Sequence, residues 1–169
     1  MDEPLGALDK QLREQMQFEI RHLHQRLGVT MVYVTHDQSE ALTMSDRIAI
    51  FHRGRIQQLD GPAQIYEQPV NAFVARFIGE NNRLDGVILS ADGTRCTIRL
   101  AGGSCIDGSL AETLAPGAPV TLSLRPERVQ IRKAGHTMPE AATGRLEGAL
   151  REIIYLGDHV RVRIALPGN

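Results

Sequence analysis

Two acids stand together near the amino end, Asp2-Glu3, and a lone Asp9 follows them. A histidine, His36, closes the apolar run Val32-Tyr33-Val34-Thr35. These residue types suit phosphoryl transfer. One carboxylate can neutralise a metal ion, a second can take a proton from an attacking water, and an imidazole can donate to a phosphate oxygen. The loop that cradles phosphates has no counterpart in the sequence. The motif G-x-x-x-x-G-K-[ST] needs a Gly-Lys step, and Lys10 and Lys133 follow Asp9 and Arg132. The chain therefore reads as the second half of a nucleotide-hydrolysing arrangement.

The elements that must position these residues are legible in the periodicity. Leu12, Met16, Ile20, Leu23 and Leu27 line one face of a helix, with Asp9 placed to cap its start and Gly28 its end. Val29 to Thr35 reads as a buried strand. Asp37 suits the cap of the next helix, with Glu40 as capping-box partner. Arg47–Phe51 and Ile56–Leu59 read as a hairpin about the turn 52–55. Short helices follow from Pro62 to Tyr66 and from Val70 to Ile78. Alternation of strand and helix is the pattern of an α/β domain with a mostly parallel core.

After Gly79 the texture changes to short alternating segments, at 84–89, 95–100, 120–124, 128–132, 148–155 and 159–166. Turn residues separate them, which predicts a small β-barrel; Lys133 to Thr143 reads as a loop. Cys96 and Cys105 flank Gly102-Gly103. A two-residue turn there would set Cys105 opposite Leu100 and Cys96 opposite Ser109, so the thiols are expected to stay reduced.

A net charge of −1 argues against a dedicated nucleic-acid binder, and the barrel-like half lacks interleaved aromatics. No apolar run reaches the roughly 18–20 residues that span a bilayer, and acids occupy the place of a basic leader. A cytosolic chain is expected. His22, His24, His52, His136 and His159 show no metal-ligand spacing and take no role.

The stretches DEPLGALD and YVTHDQSEALTMSDRIAIFHRGRIQQLDGPAQIYEQPVNAFVARFIGE strongly resemble the C-terminal half of ATP-binding subunits of ABC importers, in the maltose/polyamine-type branch. The remainder, with Leu124-Arg125-Pro126-Glu127 and Tyr155-Leu156-Gly157-Asp158, resembles their accessory TOBE domain. The resemblance implies an α/β fragment of a P-loop NTPase domain over residues 1–80, then an all-β, OB-like TOBE barrel over 81–169. It implies that Asp2 binds cofactor by holding Mg²⁺ through water, and that Glu3 is catalytic, orienting or deprotonating the water that attacks the γ-phosphate. Asp9 would lie in the loop facing a partner subunit across the nucleotide. His36 would be the switch residue, its neutral imidazole donating to the γ-phosphate. Ser is more usual than Gly6 in that loop.

In the whole family protein, two ATPase subunits sandwich ATP and Mg²⁺ and drive a transmembrane permease, with a solute-binding protein acting indirectly. The place is the inner face of the cell membrane. Phe77-Ile78-Gly79-Glu80-Asn81-Asn82 looks polyamine-type, spermidine/putrescine above all. Without the lysine loop, glutamine loop and Ser-Gly-Gly signature, this chain alone is expected neither to bind ATP tightly nor to turn it over. The alternative is a stand-alone regulatory or dimerisation module without enzymatic activity. An α/β half with uncovered strand edges also favours self-association.

Overall fold

A computed structural model describes residues 1–135 and 144–168. The polypeptide divides into two compact units, Met1–Gly79 and Glu80–Asn169. No helix among the described residues is long and apolar enough to cross a membrane.

In the first unit, helix α1 (Lys10–Leu27) starts where the Asp9 side chain accepts from the Leu12 amide. It stops at Gly28, whose φ of 63° is left-handed. Its apolar stripe is only partly covered. Leu12, Leu23 and Leu27 stay exposed, and the buried residue is Gln17. Helix α2 (Gln38–Met44) packs against α1, and its 7 residues cannot cover a helix of 18. The Arg21 guanidinium ties the two by donating to the Thr43 carbonyl at 3.0 Å.

Asp37 caps α2 by accepting from the Ser39 and Glu40 amides. The expected capping box does not form. The Asp37 amide goes to the Thr35 hydroxyl at 2.9 Å, and Glu40 turns inward to other partners.

Segment 29–35 departs from the buried strand expected of it. Val29, Val32 and Val34 are exposed, and among the described residues its one bridge is the parallel pair Asp2–Val34. A β-branched run suits the interior of a sheet only when neighbours cover both faces. Here residues 1–3 are its bridging neighbour among the described residues. The regular pairing in this unit is antiparallel instead of mostly parallel. Strands β1 (Ile48–His52) and β2 (Arg55–Asp60) form a hairpin about Arg53-Gly54, whose φ values of 50° and 73° fit a type I′ turn.

Helices α3 (Pro62–Glu67) and α4 (Ala72–Phe77) complete the core with the hairpin. Ile48, Ile50, Ile65, Val74 and Ile78 form it. The buried Gln58 stitches strand to loop: its amide donates to the Gln68 carbonyl and accepts from the Val70 amide.

Among its described residues the second unit holds six strands. β3 (Asn82–Asp92), β4 (Arg95–Leu100), β5 (Cys105–Ser109) and β6 (Pro119–Leu124) make an antiparallel sheet in the order β5-β4-β3-β6. β7 (Ala149–Tyr155) and β8 (Val160–Ala165) pair as a separate hairpin. Leu84, Cys96, Ile98 and Leu100 centre its core. The strand expected at 128–132 is absent. Pro126–Arg128 forms one 3₁₀ turn, and residues 129–132 form no ladder.

β5 was expected only as the far side of the Gly102-Gly103 turn and not as a segment of its own, because Asp107, Gly108 and Ser109 favour strands poorly. Tertiary contacts hold it. The Thr97 hydroxyl donates to Asp107 at 2.9 Å, and the ladder to β4 is continuous. The hairpin register is one residue off the expected one, with Arg99 opposite Cys105 and Cys96 opposite Gly108. The turn takes three residues and places Gly103 at a φ of 85°, the geometry of a longer loop with a bulge. Both cysteines are free thiols. Most of the loop expected at 133–143 lies outside the described residues.

Candidate functional site

The first three residues run alongside segment 32–34. The Met1 amino group donates to the Val32 carbonyl at 2.8 Å, and the Val34 amide to Met1 at 2.9 Å. The Glu3 amide then donates to the Val34 carbonyl at 2.8 Å. This register brings Glu3 beside the turn after Thr35. Glu3 itself has a φ of 41°, a left-handed conformation that costs an L-residue about 1–2 kcal/mol.

From Glu3 the chain folds back tightly. The Gly6 amide donates to the Glu3 carbonyl, and the Leu8 amide to the Leu5 carbonyl. A Cβ added at Gly6 would meet only the Glu3 carbonyl, at 3.5 Å. Serine therefore fits there, and the glycine is no steric requirement.

His36 Nδ1 and Glu3 Oε1 lie 2.6 Å apart. An ionised carboxylate only accepts, so Nδ1 carries the proton. The hydrogen bond, then the charge of Glu3, raises the His36 pKa above its ordinary 6.5. With Nδ1–H committed to Glu3, the ring offers a second donor at Nε2 only as imidazolium.

Asp2 and Asp9 do not join this pair. The cleft is lined by Glu3, His36, Arg13 and Asp37 among others, and neither Asp2 nor Asp9 lines it. Asp2 sits in the parallel bridge, and Asp9 spends an oxygen on capping α1. Among the described residues no three His, Cys, Asp or Glu side chains gather to cage a metal ion.

Sequence reasoning missed the residues behind the pair. Glu40 is 3% exposed and accepts from the Thr35 hydroxyl at 2.6 Å and the Tyr33 hydroxyl at 3.0 Å. Burial, then the bond to Glu40, pushes the Tyr33 phenol far above its usual range. Arg13 reaches across from α1. Its Nη2 donates to the Leu8 carbonyl at 3.0 Å and its Nη1 to Asp37 at 3.3 Å, while Nε faces Glu40 at 3.8 Å. The signal was present in part. An acid on the inward side of α2 demands a cation, and Arg13 stands one turn beyond the Asp9 cap.

The sequence as a whole falls among known proteins in a consistent way. Residues 122–169 match the TOBE domain family. The spermidine/putrescine import ATP-binding protein PotA of Rubrobacter xylanophilus is 43% identical over 169 residues, covering 99% of this chain and 43% of that protein. Its counterpart in Thermobifida fusca is 44% identical over 96% of this chain and 42% of itself. That of Roseobacter denitrificans is 42% identical over 100% and 45%. End to end, this chain matches part of an ABC-importer ATP-binding subunit. It spans less than half the length of these curated relatives. Both the DEPLGALD and THDQSEAL stretches fall inside the matched region, so the resemblance extends beyond the TOBE domain.

Proposed function

We propose that this chain supplies the hydrolytic side of an ATP site in the ATPase subunit of a polyamine importer. The observation that carries the reading is the 2.6 Å contact between Glu3 and His36 across the parallel pairing of residues 1–3 with 32–34. An acid and a histidine far apart in sequence are gathered where one phosphate can meet both. Glu3 takes the proton of the attacking water through Oε2. His36, protonated and oriented by Glu3, donates from Nε2 to a terminal phosphate oxygen and so discriminates ATP from ADP.

Asp2 would hold Mg²⁺ through water, and that ion, when bound, neutralises charge on the phosphates. Asp9, in the loop before α1, would face a second copy of the subunit. The rest of the assembly follows the relatives' kind: a permease at the inner face of the membrane, a solute-binding protein beyond it, spermidine or putrescine as cargo. The first unit belongs to a P-loop NTPase domain, and the second is an OB-like barrel that regulates or steadies the dimer. No nucleic acid takes part.

Because no lysine loop is present, the chain by itself gives no phosphate release above background in a malachite-green assay. Joined to the remaining segment of the Rubrobacter relative, it hydrolyses ATP. In that chimera Glu3→Gln lowers turnover by about 10²–10⁴-fold and leaves ATP binding intact. Retained turnover in the Glu3→Gln chimera would refute the role of Glu3.

A further inference from the structure

Arg13 lies on α1, outside the Glu3–His36 pair, yet it touches both stretches of chain that present it. On one side, the turn from Glu3 to Leu8 is a relay of backbone bonds: Gly6 to Glu3, then Leu8 to Leu5. The Leu8 carbonyl that ends this relay accepts from Arg13 Nη2 at 3.0 Å. On the other side, Asp37, next to His36, accepts from Nη1 at 3.3 Å. Behind both, Glu40 sits 3.8 Å from Nε, held by Thr35 and Tyr33, which flank Val34 on the segment leading to His36. Arg13 Nε is the buried polar side-chain atom without a hydrogen-bond partner among the described residues. It is kept there by the charge of Glu40 and not by a bond of its own.

We infer that Arg13 is a positioning residue, whose forked guanidinium clamps the Glu3–Leu8 turn to the Thr35–Asp37 turn and so sets the alignment of Glu3 with His36. The planar fork matters more than the charge. One ammonium cannot serve a carbonyl and two carboxylates lying in different directions. The same clamp carries Leu8, and with it the Asp9 loop. Movement of His36 toward a phosphate would therefore be felt where the partner subunit is met. The catalytic meaning of the clamp rests on the reading proposed above, but the clamp itself is tested without nucleotide, so either can fail alone.

The test compares Arg13→Lys and Arg13→Gln with the unaltered chain by amide hydrogen exchange and by the ring ¹⁵N resonances of His36 at one pH. Arg13→Lys keeps a charge opposite Glu40, so the amides of Asp37 and Glu40 should exchange within about twofold of the parent. Those of Gly6 and Leu8 should speed up about tenfold. The His36 resonances should move toward those of Glu3→Gln, where the pair is broken outright. Arg13→Gln should release both turns while β1 and β2 keep their protection. Unchanged Gly6 and Leu8 exchange in Arg13→Lys overturns the inference. So does a His36 spectrum that stays at its parent position, or an acceleration spread evenly over the whole unit.

Discussion

Glu3 and His36 bind each other before either meets a substrate, and this decides how the histidine titrates. The contact raises the His36 pKa above 6.5, with the hydrogen bond as the larger cause and the Glu3 charge next. A raised pKa means that the folded protein holds this proton more tightly than the unfolded chain. The stabilising contact is therefore complete below the ordinary histidine pKa and is lost as pH climbs through the raised value. NMR titration of the parent should give a His36 midpoint above 6.5, and Glu3→Gln should lower it toward the ordinary histidine value. A midpoint unmoved by Glu3→Gln would show that the pair does not exist in solution. At this scale the sequence was half legible. Asp-Glu followed by Thr-His-Asp suggested the chemistry proposed above, but nothing in those residue types revealed the direct contact of Glu3 with His36. That depends on a distance, and distances are set by how the chain folds back through Glu3, Gly6 and Leu8.

Among the elements, α1 starts on a cap whose side chain is also the one proposed above to face a second subunit. Asp9 accepts from the Leu12 amide at 2.9 Å, an N-cap of ordinary strength. Asp9→Ala should cost about 1 kcal/mol in chemical denaturation of the first unit, whereas Asp9→Asn, which still caps, should recover most of it. A larger loss in Asp9→Asn would mean that the carboxylate charge itself holds the fold. Helix ends, the Arg53-Gly54 hairpin and most strands of the second unit were readable because local chemistry fixes them. Segment 29–35 was not, since its β-branched residues describe an environment that the neighbouring chain must supply. β5 failed in the opposite direction. Its weak local preference is overridden by pairing with β4 and by packing at Gly108, where an added Cβ would stand 3.3 Å from Leu122.

For the molecule as a whole, the uncovered apolar surface has consequences for its state in solution. Val32 is 73% exposed and Val34 53%, on a segment with one bridged neighbour, while Leu12, Phe18, Leu23 and Leu27 are exposed along α1. Surfaces of this kind drive association. Light scattering should report a mass that rises with concentration, and Val32→Lys should reduce the rise. A strict monomer at high concentration would mean that these residues find cover within the chain.

The two sulfhydryls differ enough to serve as a built-in ruler mark. Cys105 is exposed, whereas Cys96 is 5% exposed and burial pushes its pKa up. A maleimide dye at neutral pH would therefore attach at a single place in the sheet of the second unit. That offers site-specific fluorescence on the natural chain, with no cysteine added or removed.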